Sequence, residues 1–369
     1  NNFTDDAFIT TQLKKQGAFI LGKANLSEWA YFFCGDCPSG YSAIGGQTLN
    51  PYGRRVFDTG GSSSGSGVAA SANFAAATIG SETSGSILSP SSANSIVGLK
   101  PTIGLLSRSG IVPISSTLDT PGPMTKNVID NAILLEAMLG IDHNDSKSFQ
   151  AYFNMGWYND SLHLKSLKGK RFAAFNRLME DTLYLNAIGV LKEQGAQIIE
   201  IDEEKIDLPN FRRLLNLDMK KDLPNYINHF ADKIVAFKTV EDVINFNIQD
   251  SLKRAPYGQR LFKGIVADVA TEEEFAAIKD TLKTNGRLFF NIPMETYNLD
   301  GFLSINNYHA GFAAVAEYPA ITVPMGYREN GQPRGLTFIS RSHSEKNLLQ
   351  WAFEYEQKSK MRITPSNYN

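Results

Sequence analysis

Cysteine, net charge and long apolar runs are all scarce in this chain. Its 369 residues include two cysteines, too few for a disulfide-stapled scaffold. Basic and acidic residues number 36 and 38, so the net charge of −2 provides no positive excess for nucleic acid or an anionic membrane. No uninterrupted apolar run reaches the roughly 20 residues of a membrane span. We therefore expect a globular protein whose partner is a small molecule or a peptide end, and neither nucleic acid nor a membrane.

The two cysteines, Cys34 and Cys37, form a Cys-x-x-Cys pair, which is typical of redox motifs and of half a zinc site. No second pair or nearby histidine cluster completes a metal site, so we predict no metal. We interpret both as incidental thiols of a loop, which favours a reducing compartment and hence the cytoplasm. No secretory signal is found at Asn1, which is informative only if Asn1 lies near the true start of the protein, so an upstream signal peptide stays open.

The hydrophobic pattern alternates between helices and strands. A helix over 7–16 ends at Gly17 and precedes a short buried strand over 18–21, and the same order recurs over 183–201. A helix is also predicted at 128–139, and further strands at 172–175, 302–305, 320–323 and 336–339. This interleaving predicts an α/β class with a layered α/β/α domain around a large mixed, mostly parallel twisted sheet.

The pattern becomes mostly helical between about residues 210 and 291. We therefore predict a single domain over 1–369 that contains a helical insertion or cap over 205–295.

Two loops rich in serine and glycine are the strongest functional signal. They read DTGGSSSGSG at 58–67 and GSETSGSI at 80–87. A serine hydroxyl is a poor nucleophile until a base takes its proton, and the tetrahedral oxyanion then needs preorganised N–H donors. Glycine lets the backbone come close enough to supply them. The two loops together favour an acyl-transfer site.

Other templates fit the first loop less well. A phosphate-binding loop would end in Lys followed by Ser or Thr, where Val68 and Ala69 stand, and the dinucleotide fingerprint fails on glycine spacing. The sequence GSSSG at 61–65 formally matches the nucleophile elbow of an α/β-hydrolase, with Ser63 as nucleophile. That elbow follows a buried strand and needs a downstream histidine, whereas RRVFDT precedes this loop and no histidine lies in an obvious motif.

Taken together, the two loops and the segment GLKPTIG at 98–104 resemble the signature of the amidase signature family. The resemblance continues in LGKANLSEWA at 21–30, DTPGPM at 119–124 and EYPAITVP at 317–324, and covers most of the chain outside the helical middle. It implies an amide hydrolase with a Ser, cis-Ser, Lys triad and an acyl-enzyme intermediate, without metal or organic cofactor.

Two members of the triad can be carried over by match. The resemblance implies that Ser86 is the nucleophile and that Ser62 is the bridging serine, which relays a proton and follows a cis peptide bond after Gly61. Backbone N–H groups of four residues are implied as the oxyanion hole: Thr83, Ser84, Gly85 and Ser86. We expect Ser64 and Ser81 to give supporting hydrogen bonds. The alternative for all these serines is a role in turns and helix caps.

The third member has no match in this chain. In the family the catalytic lysine lies upstream of the segment that matches 21–23, while Lys23 and Lys100 lie in motifs carried in addition to it. Lys14 and Lys15 near a helix end are interpreted as solvated charges. We therefore expect an N-terminally incomplete chain that is inactive alone because its base lies upstream of residue 1. The alternative is a non-catalytic remnant or binding protein with the same fold.

The resemblance is strongest to free-standing bacterial members close to peptide amidases. It implies a small amide or a peptide C-terminal amide as substrate and is compatible with a homodimer. Leu88 and residues 94–95 depart from the pattern of the tRNA-linked glutamine amidotransferases, which disfavours that function. Residues 31–33 and 306–309 are candidates for the pocket wall or for ordinary packing, and His309 is interpreted as structural.

Overall fold

A computed structural model describes residues 5–151, 158–160, 162–163, 167–232 and 234–366. Its centre is an eight-stranded sheet in the order β3-β5-β4-β9-β10-β8-β6-β7. These strands are β3 (Ala77–Glu82), β4 (Val97–Lys100), β5 (Thr120–Thr125), β6 (Arg171–Phe175), β7 (Gln197–Ile201), β8 (Gly301–Ile305), β9 (Ala320–Tyr327) and β10 (Pro333–Ile339). A separate small hairpin pairs β1 (Tyr41–Ser42) with β2 (Gly46–Gln47).

Thirteen helices surround the sheet in the described part of the chain. They are α1 (Phe8–Lys15), α2 (Ser64–Ser71), α3 (Leu88–Ala93), α4 (Val128–Met138), α5 (Ser146–Ala151), α6 (Thr182–Glu193), α7 (Phe211–Phe230), α8 (Val240–Ile248), α9 (Ser251–Arg254), α10 (Arg260–Ala267), α11 (Glu272–Tyr297), α12 (Ala310–Ala316) and α13 (Glu345–Ser359). None of these described helices is long and apolar enough to cross a lipid bilayer.

Helices cover both faces of the sheet. Phe172 on β6 packs against Trp351 of α13, with ring centroids 4.9 Å apart. Three positions along the same strand, Phe175 contacts Phe289 of α11 at 5.9 Å. Side chains an odd number of positions apart on a strand point to opposite faces, so α13 and α11 lie on opposite sides. The predicted α/β/α layering is confirmed.

The sheet is mixed, but the expected predominance of parallel pairs is wrong. Strand β6 runs parallel to β7 and β8, whereas antiparallel pairs join the strands from β3 across to β8. Strands β9 and β10 are joined by the tight turn at 328–332, in which Arg328 N donates to Gln332 O at 2.9 Å. Such a turn reverses the chain direction, and only a crossover such as β6-α6-β7 leaves neighbouring strands parallel.

Between β7 and β8 the described elements are five helices, α7 to α11, joined by non-helical segments. These helices share a second cluster of buried apolar side chains, which includes Leu214, Phe262 and Ile278. Phe33 and Ile114 join that cluster from segments outside the helices. This core attaches the helical segment to the rest of the molecule. The boundaries 205–295 stay a prediction.

The buried strand predicted at 18–21 is wrong. Helix α1 ends at Lys15, but the residues that follow form no strand. Phe19 and Leu21 are 86% and 68% exposed. An apolar run becomes a buried strand only where neighbouring strands pair with it, and no described strand lies beside this segment.

The interpretation of Cys34 and Cys37 as thiols is also wrong, because the structure joins them in a disulfide. The intervening turn brings their Cα atoms within 5.9 Å, a spacing ordinary for a disulfide. The backbone N–H of Cys37 also points at Cys34 Sγ, 2.9 Å away. The cysteines therefore no longer argue for a reducing compartment.

The aromatic contact between β6 and α13 should support the fold. Phe172 is fully buried, so Phe172→Ala leaves a cavity and is expected to lower the free energy of unfolding by about 3–5 kcal/mol. Phe74→Ala is the matched control, because Phe74 is 71% exposed. Urea unfolding of both variants gives the comparison. Equal effects of the two substitutions would contradict this packing.

Candidate active site

The two serine-glycine loops meet at one cleft of about 500 Å³. Gly60 and Gly61 of the first loop line it, as do Thr83, Ser84 and Ser86 of the second. Ser86 is half-buried and lines the cleft, whereas Ser62 is almost completely buried and is not among the described residues that line it. The structure thus brings the predicted nucleophile loop and the predicted relay loop together.

Close approach of the two backbones defines this meeting point. Ser63 N donates to Ser86 O at 3.1 Å, and the peptide bond between Gly61 and Ser62 is cis, as the resemblance implies. Gly60 has φ +62°, and a Cβ there would lie 2.7 Å from backbone atoms of Ser89. Only glycine fits this position, since a side chain would clash with backbone that cannot yield.

Hydrogen bonds from neighbouring serines hold the predicted relay loop. Ser64 Oγ donates to Gly60 O at 2.6 Å, while its supporting role in catalysis stays a prediction. Ser27 N donates to Ser62 O at 3.0 Å, while Ser27 Oγ accepts from Gly40 N at 2.9 Å. Ser27 was missed as a site residue although it lies in the segment 21–30, which shares the family resemblance. Ser27 is fully buried, and burial cannot be read from the sequence.

Ser63 and Ser81 form a structural contact. Ser63 Oγ donates to Ser81 O and accepts from Ser81 N, both at 3.1 Å. The hydroxyl predicted for a hydrolase elbow is therefore engaged with strand backbone. Ser81 takes part through its main chain, and among the described residues its side chain makes none of the supporting hydrogen bonds that we expected.

A buried carboxylate, Glu82, supports the predicted nucleophile loop. Glu82 Oε2 accepts from Ile87 N at 2.7 Å and from Leu88 N at 3.0 Å, directly after Ser86. Burial raises the pKa of Glu82, while the charge of Lys100 and the backbone N–H groups oppose that rise. Burial also lowers the pKa of Lys100 to about 8. Sequence reasoning missed Glu82. The one indication in the sequence was that this acidic residue lies within a loop of small residues.

Comparison with known proteins agrees with this geometry. The sequence model of the family described as Amidase matches residues 1–259. The chain belongs to the amidase family. It is 34% identical to a probable amidase of Arabidopsis thaliana over 375 residues, which are 98% of this chain and 72% of that protein. It is also 29% identical to one polypeptide of the glutamyl-tRNA(Gln) amidotransferase of Staphylococcus haemolyticus, covering 95% of this chain and 76% of that polypeptide.

Solved structures share the fold. An amidase family protein from Bacillus anthracis superposes with a TM-score of 0.94 at 37% identity, covering 98% of this chain and 73% of that one. The native peptide amidase from Stenotrophomonas maltophilia gives 0.88 at 34% identity, covering 99% and 79%. These likenesses confirm the predicted family and an amide-hydrolysing enzyme.

A second carboxylate of this amidase, the half-buried Asp119, holds two segments that line the cleft. Asp119 Oδ1 accepts from Thr83 Oγ1 at 2.6 Å, and Oδ2 accepts from the N–H groups of Ile114 and Ser115 at 2.8 Å. Thr83 and Ile114 both line the cleft, so one side chain positions two walls. Burial is the main cause that raises the pKa of Asp119, to about 6.

The aromatic residues and the loop predicted as pocket walls divide between two roles. Tyr31, Phe32, Asn306 and Asn307 line the cleft, whereas Phe33 is 2% exposed and belongs to the core.

His309 is buried and is not among the described residues that line the cleft. Its Nδ1 lies 2.6 Å from Ser304 Oγ and its Nε2 lies 2.9 Å from Glu203 Oε1. Burial lowers the pKa of His309, which favours the neutral ring. These contacts agree with a structural role for this histidine.

The titration of Asp119 should appear in the pH dependence of stability. Its pKa rises from 3.8 to about 6 on folding, so the folded state holds the proton more tightly than the unfolded state. Stability from this group is therefore full below pH 4 and falls by about 3 kcal/mol as the pH rises through 6. Asp119→Asn cannot titrate. Urea unfolding from pH 4 to 7 should show wild type losing that amount relative to the variant, and a constant difference would contradict the assignment.

Proposed function

We propose that this amidase cleaves its substrate through an acyl-enzyme on Ser86, with Ser62 as proton relay. The observation that carries the proposal is the convergence of both loops at one cleft, joined by the hydrogen bond from Ser63 N to Ser86 O. Ser86 lines the cleft, where an amide carbonyl can reach it, and Ser62 is buried in the other loop, which Ser27 and Ser64 hold.

The chemistry follows from that arrangement. Ser86 Oγ bonds to the amide carbon as its proton passes to Ser62, whose own proton passes on to a base. The carbonyl oxygen becomes an oxyanion, for which backbone N–H groups of Thr83, Ser84, Gly85 and Ser86 are the proposed donors. Removing one such donor costs about 3–4 kcal/mol in known enzymes. The amine leaves with a proton, and water then hydrolyses the ester.

The cleft favours a neutral amide with an apolar neighbour. Phe32, Ile114 and Leu215 supply apolar wall, and the charged lining residues are one acid and one base, Asp58 and Arg334. A small amide or the C-terminal amide of a peptide matches this combination of apolar surface and balanced charge. The structural likeness to a peptide amidase supports the peptide C-terminal amide.

Glutamine amidotransferase is the second candidate, because a polypeptide of such an enzyme is among the sequence relatives. Leu88 and residues 94–95 depart from the pattern of that branch. Release of ammonia from glutamine, compared with release from an N-acetylated peptide amide, separates the two substrates.

The base is proposed to come from outside the residues that line the cleft. None of the described lining residues is a lysine or a histidine. Lys100 is fully buried and donates to Pro101 O at 3.2 Å. We infer that the described residues supply two of the three triad members, and that the 369-residue chain alone hydrolyses amides slowly.

The identity of the nucleophile can be read by covalent labelling. A fluorophosphonate forms a stable adduct with an activated serine, so with methylamine added as the base, peptide mass mapping should place the adduct on Ser86. Ser86→Ala should abolish labelling, and Ser63→Ala should retain it as the matched control. An adduct on Ser63 would instead support the hydrolase elbow. No adduct on a folded chain, even with an added amine base, would favour a non-catalytic protein of the same fold.

The missing base can be tested by chemical rescue. Methylamine is a small analogue of the lysine amine, and as a free base near pH 10 it should raise amide turnover at least about tenfold. Tetramethylammonium, which cannot accept a proton, is the control for ionic strength. Ser62→Ala and Ser86→Ala should each abolish the increase. Fast turnover without any added amine would overturn the inference that a triad member is missing.

A further inference from the structure

Asp58 is the one acidic residue among the described residues that line the cleft. Two hydrogen bonds hold it in place: its Oδ1 accepts from Gly60 N at 2.6 Å, and its main-chain oxygen accepts from Asn50 Nδ2 at 2.8 Å. Asn50 also donates to Ala93 O at 2.9 Å, at the end of α3, the helix that begins two residues after Ser86. The position of this carboxylate is therefore fixed relative to the segments that form the cleft.

The Asp58 carboxylate keeps one oxygen for a ligand. Asp58 is exposed, and its Oδ2 makes no hydrogen bond or ion pair with the described residues. Arg334, the other charged residue of the described lining, is 7% exposed, and its Nη2 already lies 2.8 Å from Tyr308 Oη and 3.7 Å from Asp181 Oδ2. The two charges of the cleft thus balance in number, but the accessible one is negative.

An aromatic residue lines the cleft beside this carboxylate. Tyr31 Cε2 lies 2.6 Å from the point that a Cβ of Gly61 would occupy, next to Gly60, whose N–H Asp58 accepts. Burial is the main cause that raises the pKa of Tyr31 to about 12, and the charge of Asp58 adds to it, so the two side chains lie close enough to interact. Carboxylates and aromatic rings both attract organic cations.

A ligand that reaches Ser86 also comes within reach of Asp58. Both residues line one cleft of about 500 Å³, a volume typical of sites for small organic ligands. The two segments touch nearby, since Gly61 N donates to Ser89 Oγ at 3.4 Å. A short peptide amide therefore brings its amide group and a charge elsewhere in the same molecule into the cleft together.

We propose that Asp58 is a specificity-determining residue that binds an ammonium or guanidinium group of the substrate. The inference rests on the proposed function, and it narrows the substrate class to peptide amides that carry a positive charge, while the amide that is cleaved stays neutral. Two sources carry such a charge, the N-terminal ammonium of a short peptide and a basic side chain. Both offer the same chemistry to the free Oδ2, an N–H donor on a cation.

Equilibrium binding to the whole chain carrying Ser86→Ala tests this assignment without turnover. Calorimetry compares two ligand pairs: leucyl-phenylalaninamide with its N-acetyl derivative, and N-acetyl-arginyl-phenylalaninamide with its neutral citrulline isostere. At low salt we expect the cation of at least one pair to bind about 3- to 10-fold more tightly than its neutral partner, the effect of one accessible charged hydrogen bond. The pair that shows the preference identifies the source of the charge.

Salt gives a second readout on the unsubstituted carboxylate. Mobile ions screen accessible charges, so about 0.5 M sodium chloride should at least halve the preference for the cation. A preference that high salt leaves unchanged would contradict recognition by an exposed carboxylate.

The substitution Asp58→Asn separates the charge from the structural hydrogen bond. Asparagine keeps an oxygen that accepts from Gly60 N but carries no charge, so the preference for the cation should fall below about 1.5-fold. Asp280→Asn is the matched control, because Asp280 is an exposed aspartate of α11 outside the described lining of the cleft. Thermal unfolding confirms that each variant is folded. If Asp58→Asn does not fold, the ligand pairs and their salt dependence still decide.

Three results would overturn the proposal: equal or weaker binding of the cation in both pairs, no binding of any of the four ligands, or an unchanged preference in folded Asp58→Asn. Failure here is distinguishable from failure of the proposed function. Fluorophosphonate labelling of Ser86 with methylamine added requires no contact with Asp58, so labelling without a cation preference would leave the proposed function standing and remove only this inference.

Discussion

The hydrogen bond from Ser63 N to Ser86 O brings two backbone segments together at 3.1 Å, and the candidate site depends on that approach. Helix α2 begins immediately after Ser63, and α3 begins two residues after Ser86. Each loop is therefore continuous with a rigid element. Small residues make the approach feasible, because a Cβ at Gly60 would collide with the backbone of Ser89. The loops are therefore rich in small residues because larger side chains would keep their backbones apart.

The buried acid Glu82 and the half-buried acid Asp119 reinforce the cleft through hydrogen bonds. Glu82 binds the N–H groups that follow Ser86, and Asp119 joins Thr83 to Ile114 and Ser115. A buried carboxylate is costly unless hydrogen bonds or a nearby opposite charge stabilise it, and both kinds of partner are found here. Lys100 provides the opposite charge near Glu82. These residues position the cleft without belonging to the proposed triad.

Local patterns predicted much of the fold. The helix expected at 7–16 corresponds to α1, and the one expected at 128–139 corresponds to α4, because each combines apolar spacing with a recognisable end. The strand predicted at 18–21 is wrong, since the apolar residues of that segment have no described strand beside them. Parallel pairing was overestimated, because strand direction depends on how the connections run in space and not on the strands themselves.

The residues of the candidate site, too, were predicted only where a local motif marks them. The serine-glycine loops and their family resemblance pointed to Ser62 and Ser86 directly, because glycine and serine in that order have few other uses. Ser27 and Glu82 went unrecognised, since their importance comes from burial and from partners distant in the chain. The disulfide of Cys34 and Cys37 was likewise missed, because spacing alone does not distinguish a thiol pair from an oxidised one.

The sequence by itself determined the family, the layered fold class and the two loops that carry the serines, because these depend on local composition and on motifs that are continuous along the chain. Tertiary structure alone decided which residues line the cleft, which carboxylate is buried against the predicted nucleophile loop, and that Asp58 rather than Arg334 is the accessible charge of the described lining. Burial and hydrogen-bond partnership arise from contacts between segments far apart in the chain. Thr102 N, for example, donates to Glu345 Oε1 across 243 positions. No local pattern encodes a contact of that range.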